Sequence, residues 1–273
     1  MSNVENAFQS MRDAGVRTVC VQWACFGPYH LARLEAAGQL FSSYGIELVG
    51  LETYANQEEY DWTRADGSQS FRRETLFDDE LAVSSGSPRA VESRVFHSLA
   101  KLRPDAVAIT SYSTPDARSA LRWCLRNNVP AILMTESHRA DADRVGWRES
   151  IKRLIVAQFG SALVGGTPQR EYLAELGFDQ ARTVRGFDVV DNEFFARAAA
   201  EYEARGGARS GFVCVSRFIA RKNLFRLVEA YSVYRGLVDS PWSLTIVGGG
   251  ALRPDVEKEV TSWDWKRLCS RES

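Results

Sequence analysis

Two cations and three glycines in the last third of the chain are the residues whose types and spacing suit chemistry. In GFVCVSRFIARKNLFRLVEAY, residues 211–231, an apolar run ends, Arg217 follows, and Lys222 opens a helical pattern. In SLTIVGGGALRPD, residues 243–255, a second apolar run leads straight into Gly248, Gly249 and Gly250. A strand end followed by a helix start places both side chains in front of a helix N-terminus, where free backbone N–H groups favour an anion. Ligands of open α/β sheets bind at the carboxyl ends of strands. A nucleotide diphosphate leaving a sugar gains negative charge as the bond breaks, and two fixed cations stabilise that charge without proton transfer. Glycines at the next strand end would let the backbone approach a base or ribose closely. Taken alone, an Arg and a Lys in such a turn are usually solvated surface charge. The glycine run also lacks the third glycine of the dinucleotide fingerprint, and no strand carries an acidic residue about 20 positions on.

These residues need a scaffold of strands and helices, and the sequence supplies one. Short apolar runs occur at 16–24, 45–52, 105–110, 129–135, 161–166, 181–186, 211–216 and 242–248. Uninterrupted runs of this length suit parallel strands buried on both faces. Helical patterns lie between them at about 29–43, 88–102, 115–127, 145–159, 168–176, 192–204, 222–237 and 252–262. Pro28 suits a first helical turn, and Thr114-Pro115 and Thr167-Pro168 read as helix starts. Strict alternation of this kind predicts an α/β, doubly wound architecture. Residues 53–87 break the rhythm as a polar excursion with one strand at FRRETLF. The small, glycine-rich stretch EARGGARSG reads as a linker. The expected organisation is a first domain over 1–202, a linker over 203–210 and a second domain over 211–273.

The totals narrow the function classes. A net charge of −1 gives no support for nucleic acid as a partner, and no uncharged apolar run reaches the roughly 20 residues of a membrane span. Hydrophobic content of 45% with seven tryptophans supports a packed core. The five cysteines, at 20, 25, 124, 214 and 269, have no metal-type spacing and read as thiols in a reducing, cytoplasmic setting. The first fifteen residues have no apolar targeting core.

Taken together, VCVSRFIARKNLFRLVEAYSVYRGLVDSPWSLTIVGGGALRPDVEK resembles the opening of the C-terminal domain of family 4 (group 1) retaining glycosyltransferases, which have the GT-B fold. The shared pattern is an apolar strand, Arg, a short turn, Lys followed by Gly or Asn, a helix with Glu-Ala, a second strand and a glycine-rich turn before Leu. Here these are Arg217, Lys222-Asn223, Glu229-Ala230, LTIVG and Gly250-Ala251-Leu252. The resemblance implies one complete Rossmann-like N-terminal domain and the first β-α-β part of a second. It implies that Arg217 and Lys222 contact the donor diphosphate and that Gly248, Gly249 and Gly250 lie near the nucleoside. WACFGPYHLARLEAA resembles the family's first strand-to-helix turn, which puts Gly27 and His30 at the substrate. The stretch from LMTESHR to GGTPQREYLAELG, then VRGFDVVDNEFF, resembles one bacterial branch and implies that Glu136 and His138 lie beside the donor sugar, Glu136 as the favoured member. The implied reaction is transfer of a sugar with retention from a nucleotide-diphosphate sugar to a hydroxyl of a glycan or small molecule, with no cofactor beyond that donor.

Other candidates read differently. Of three histidines, His97 lies within a helical pattern and reads as a packing residue. Asp141 and Asp143 form an Asp-x-Asp pair, a hard-cation motif in another fold, but they stand six and eight residues beyond Thr135 among basic residues, so no metal is assigned. Glu193 and Glu201 have the spacing of a sugar-contacting glutamate pair but precede the linker, and they read as a solvated face. Asp188, Asp191 and Asn192 read as cleft-edge or hinge residues, with a helix cap as the alternative for Asp191. TSWDWKRLCSRES does not continue the expected helix–strand pattern, so the chain reads as truncated within its second domain and weak in transferase activity alone. The rival readings are a GT-B sugar-nucleotide epimerase or phosphorylase, the latter without a visible pyridoxal lysine motif, and a non-catalytic small-ligand or protein-binding module.

Overall fold

The computed structural model describes residues 3–56, 70–78, 88–207 and 211–262. The sequence readings for most of the polar excursion and for the C-terminal tail lie outside these residues. By packing, the chain divides into two compact units, Met1–Asp191 and Asn192–Ser273.

The first unit is built on seven strands: β1 (Thr18–Trp23), β2 (Glu47–Tyr54), β3 (Arg72–Phe77), β4 (Ala106–Thr110), β5 (Ala131–Thr135), β6 (Ser161–Val164) and β7 (Thr183–Arg185). They form one sheet in the order β3-β2-β1-β4-β5-β6-β7, and every neighbouring pair is parallel. The helices of this unit are α1 (Asn3–Asp13), α2 (Pro28–Ser43), α3 (Pro88–Leu102), α4 (Pro115–Asn127), α5 (Gly146–Val156) and α6 (Thr167–Glu175). Strand side chains alternate between faces, so each strand feeds two cores. Cys20, Val107, Ile109 and Leu133 pack with Val95 and Leu99 of α3 and Tyr172 of α6. Val19, Ala108 and Met134 point the other way, toward Phe8 of α1 and Leu34 of α2. Burial on both faces is why these strands read as unbroken apolar runs.

Local signals act as their chemistry predicts. Gly27 is the N-cap of α2 with Pro28 behind it, and Thr114 takes the extended N-cap conformation before Pro115. Helix α6 begins at Thr167 with Gly166 as its cap, one residue earlier than the sequence pattern suggests. Helix α1, unmarked in the sequence reading, is anchored by Phe8, whose ring stacks on Tyr44 at a centroid distance of 4.4 Å.

The second unit contains α7 (Asn192–Ala204), β8 (Gly211–Val215), α8 (Leu224–Leu237), β9 (Ser243–Val247) and α9 (Arg253–Ser262). Its two strands pair in parallel from Gly211 with Ser243 to Val215 with Val247. Cys214 and Ile246 pack on a small core of Phe218, Leu224, Val228 and Val256. The alternate positions Val213 and Val215 are exposed, and α7 has no buried residue.

Candidate functional site

In the first unit the strand order reverses direction between β1 and β4, and open α/β sheets bind ligands at the carboxyl ends of strands beside such a point. The turns there are Ala24–Gly27 after β1 and Ser111–Thr114 after β4, with Thr110 Oγ1 donating to the Gln22 carbonyl at 2.8 Å across the gap. Beneath them the buried Asp116 carboxylate accepts from Gln22 Nε2 at 2.6 Å and from Thr53 Oγ1 at 2.9 Å. One oxygen thereby ties β1, β2 and the first turn of α4 together, and Gln22 Oε1 has no hydrogen-bond partner.

His30 closes the first turn of α2. The Gly27 N–H donates to His30 Nδ1 at 3.0 Å, and the His30 N–H returns to the Gly27 carbonyl at 3.0 Å. With Nδ1 accepting, the neutral ring carries its hydrogen on Nε2. Burial first, then the charge of Arg33, lower the His30 pKa from 6.5 to about 4, with Asp188 pulling weakly the other way. His30 therefore offers a neutral N–H donor at physiological pH. Its ring lies 5.1 Å from Trp23, and Trp23 stacks on Phe187 from the turn after β7.

That turn brings in two residues the sequence did not assign to chemistry. Arg33 of α2 forms an ion pair with Asp188, and its Nε donates to the Val189 carbonyl at 2.7 Å. Asp188 is hydrogen-bonded in turn to Glu136, the first residue beyond β5. Partial burial, then the hydrogen bond to Asp188 and its charge, push the Glu136 carboxyl up to about 7, against the pull of Arg33. Gly27, His30, Arg33, Glu136 and Asp188 thus form one constellation over the carboxyl edge of the sheet. The signal for Asp188 lay in GFDVV, where Gly186 at φ +114 turns the chain back toward α2. Arg33 sits mid-helix and gave no local signal.

His138 is placed nearby but is occupied. It caps the single 3₁₀ turn Arg139–Asp141, its N–H donating to Asp141 Oδ2 at 2.7 Å and its Nε2 lying 2.8 Å from Oδ1. Asp141 is thereby engaged with His138, and its partner in the Asp-x-Asp pattern, Asp143, is exposed. Among the described residues no three His, Cys, Asp or Glu side chains cluster as a metal site. The loop holding Glu136 is braced from α6 and from Arg144. Gln169 Nε2 donates to the Glu136 carbonyl at 3.2 Å, and Arg144 donates to the carbonyls of His138 and Arg139. Arg144 stacks 4.4 Å from the buried Tyr172 ring, whose hydroxyl donates to Glu149 Oε2 at 2.7 Å. Burial opposes the charge on Glu149, but bonds from Lys152 and Tyr172 outweigh it and lower its pKa. His97, read from sequence as a packing residue, is exposed on α3. Helix α3 turns its buried stripe, Val91, Val95 and Leu99, to the core, and position 97 falls off that stripe.

In the second unit Arg217 stands two residues beyond β8 and is half-buried. Lys222 ends a single 3₁₀ turn, Ala220–Lys222, and is exposed immediately before α8. Asn223 caps α8 in the left-handed conformation, φ 50 and ψ 44, which only Gly, Asn and Asp adopt readily. That accounts physically for a Gly-or-Asn requirement after the lysine. The three glycines separate into two kinds. A Cβ on Gly248 would lie 2.0 Å from the Ser216 carbonyl oxygen, and one on Gly250 would lie 2.7 Å from that of Phe218. These two let the turns after β8 and β9 lie backbone to backbone, zipped by Phe218 N–H to Gly249 O at 2.7 Å and Leu252 N–H to Phe218 O at 2.9 Å. Gly249 alone opens onto space. An apolar cavity of about 170 Å³ lies beside this turn among Phe218, Ala220, Leu224, Phe225, Leu252 and Val256. Its walls carry no cation, so it suits an apolar or flat group rather than a phosphate.

No protein-family model matches the chain, and no curated protein matches it in sequence. Solved structures do. The α,α-trehalose 6-phosphate synthase of Burkholderia multivorans aligns with a TM-score of 0.62 at 14% identity, over 94% of this chain and 71% of that one. HepE from Anabaena, in complex with UDP and glucose, aligns with a TM-score of 0.57 at 12% identity, over 93% of this chain and 66% of that one. A UDP-N-acetylglucosamine 2-epimerase from Rickettsia bellii aligns with a TM-score of 0.56 at 15% identity, over 93% and 67%. The fold is GT-B-like. A seven-stranded Rossmann-like unit is followed by a unit with two parallel strands among its described residues, and the chain spans about two thirds of the length of the structures it resembles. No helix among the described residues is long and apolar enough to cross a membrane.

Proposed function

We propose that the chain is a nucleotide-sugar-dependent glycosyltransferase of the family 4 type, moving a sugar with retention from a nucleotide-diphosphate donor to a hydroxyl acceptor. The observation that carries this reading is the setting of Arg217 and Lys222. Both follow the carboxyl end of the first strand of the second unit, immediately ahead of the N-terminus of α8, in a fold shared with proteins solved in complex with UDP. In the proposed division, residues 1–202 form the acceptor-side domain, 203–210 the linker and 211–273 the donor-side domain.

Arg217 and Lys222 neutralise the diphosphate as it leaves, and Gly249 leaves its backbone open to the nucleoside. The anomeric carbon–oxygen bond breaks with its electron pair going to the diphosphate, and the acceptor oxygen bonds to the same face. The acceptor's proton passes to Glu136, whose carboxyl titrates near 7 and so serves as a base close to neutral pH. Neutral His30 donates its Nε2 hydrogen to a sugar oxygen, and the Gly27 turn fixes it. His138 orders the loop beside Glu136 through its cap. No metal or cofactor is needed for this scheme. The buried thiols of Cys20 and Cys124, pushed up by burial, fit a reducing, cytoplasmic setting.

Calorimetric titration of the 273-residue chain with UDP tests the donor half. Arg217→Ala and Lys222→Ala should each weaken binding about 10- to 100-fold, as loss of a charge-assisted hydrogen bond does. Binding indifferent to both changes would favour a non-catalytic module. One observation favours a second reading, sugar-nucleotide epimerisation: a carboxyl poised near 7 is also what proton transfer at a sugar carbon requires. Incubating a UDP-sugar in D₂O separates the two, since epimerisation through proton removal incorporates deuterium without acceptor and transfer does not.

A further inference from the structure

We propose that helix α5 docks on the surface of an anionic lipid bilayer, laying Trp147, Ile151 and Leu154 into the headgroup boundary with Arg148 and Arg153 set against the lipid phosphates. This goes beyond the reading above and does not depend on it.

Single exposed apolar side chains are ordinary, but a row of them along one helix face is not. Spacings of four and three residues bring Trp147, Ile151 and Leu154 onto one face of α5. They are 63%, 47% and 70% exposed. The opposite face serves the interior of the first unit. Val156 is buried, Ile155 packs on the core, and Lys152 Nζ donates to the hydroxyl of the buried Tyr172 at 3.0 Å. The helix is thus apolar on two sides, and only one of them is used by its own fold.

The charges decide the occupant. Arg148 is exposed, and its guanidinium lies 5.3 Å from the centroid of the Trp147 ring. Arg153 is exposed on the other flank of the row, where its Nη2 donates to the Glu175 carbonyl at 3.1 Å, a bond that does not cancel its charge. Glu149, the one acid of α5, is turned inward: its carboxylate accepts from Lys152 Nζ at 2.6 Å and from the Tyr172 hydroxyl at 2.7 Å. Ahead of the helix, Asp141 is engaged with His138, and Asp143 is exposed in the loop. An apolar row with a tryptophan at one end and an arginine on each flank is the pattern of a helix that lies in the plane of a membrane interface. Anionic headgroups attract the two arginines, and the row supplies the apolar area to be buried. Helix α7 makes the contrast. It too exposes apolar rings, Phe194, Phe195 and Tyr202, but among Glu193, Glu201 and Glu203, which an anionic surface repels.

The test is flotation of the 273-residue chain with phosphatidylglycerol vesicles and with phosphatidylcholine vesicles at low ionic strength. Wild type should float with the first, bind the second about 10-fold more weakly or less, and be released from the first by added salt. Trp147→Ser and Leu154→Ser should each weaken the partition about 10-fold, as withdrawal of a large apolar side chain from the interface does. Arg148→Glu should abolish the preference for phosphatidylglycerol. Leu125→Ser, at an exposed position of α4 away from the row, should float like wild type. All four positions are exposed, so the variants should fold, and circular dichroism verifies that they do. The proposal is overturned if the chain stays off phosphatidylglycerol vesicles, partitions equally onto both lipids, or floats unchanged in Trp147→Ser, Leu154→Ser or Arg148→Glu. It is equally overturned if sedimentation of the lipid-free chain shows a dimer that Leu154→Ser dissociates, since the row would then belong to a second copy. None of these readings involves UDP, so failure of the transferase assignment would appear separately, in the UDP titration.

Discussion

The Glu52 carboxylate, fully buried at the carboxyl end of β2, accepts the backbone N–H of Phe26 at 3.1 Å. Phe26 immediately precedes Gly27, so a side chain of β2 fixes the turn that sets His30. The same carboxylate receives Arg73 Nε at 2.7 Å, Arg73 Nη2 at 3.1 Å and Thr75 Oγ1 at 2.7 Å, all from β3. A buried charge with four bonds is stable only as long as they are all made. Glu52→Ala should therefore cost about 3–5 kcal/mol, since it removes the carboxylate from a mostly buried guanidinium. Replacing both partners, as Glu52→Leu with Arg73→Met, should recover much of that loss. Urea unfolding of the single and double variants measures both, and a double variant as unstable as the single would refute the charge-pair account.

Most of the scaffold could be read from residue order, for a physical reason. Strands such as Val107–Ile109 and Leu133 are buried on both faces, so their apolar runs are continuous and carry no competing period. Strand β3 was legible in a polar stretch because FRRETLF combines β-formers with a bounded length. Helix α1 was not, since among its described side chains Phe8 alone is buried and the helix is polar elsewhere. The candidate site divides in the same way. Gly27 and His30, in the turn and helix start after β1, and Glu136, just beyond β5, were singled out by the family resemblance. Arg33 and Asp188 meet across 155 residues of sequence, and only the folding back of the β7 turn joins them. Likewise the sequence gives Gly248 and Gly250 a ligand-facing purpose, whereas the structure gives both a tight backbone neighbour.

The glycine run supplies a discriminating set of variants. Gly248 has φ +145 and Gly250 φ +137, and each would thrust a Cβ into backbone of the preceding turn. Gly248→Ala and Gly250→Ala should each destabilise the second unit by about 1–3 kcal/mol, the usual scale of such backbone strain. Gly249→Ala meets nothing within 4 Å and should leave stability unchanged. Loss of UDP binding by Gly249→Ala at unchanged melting temperature would then place the nucleotide against this turn; unchanged binding would place it elsewhere.

Asn223 makes no side-chain cap to α8, so its conformation is what the site demands of it. Asn223→Gly should be nearly neutral. Asn223→Val should cost about 1–2 kcal/mol, because a β-branched residue resists the left-handed region. A thermal melt of the two variants checks the order. Equal losses would mean that the asparagine side chain contributes through bonding instead.

His30 and Glu136 impose opposite pH dependences on stability, and each can be isolated. The fold holds His30 neutral down to about 4 against an ordinary 6.5, so between those values the unfolded chain binds a proton that the folded chain refuses. Stability therefore falls as pH drops through that window. Glu136 keeps its proton up to about 7 against an ordinary 4.5, so its contribution is complete below 4.5 and is lost as pH rises toward 7. His30→Gln should remove the acid-side fall, and Glu136→Gln should remove the loss approaching neutrality. The two curves, each subtracted from wild type across the acid-to-neutral range by urea unfolding, should slope in opposite senses. Curves of the same sign would mean that one of the two groups is not held in the protonation state that its partners dictate.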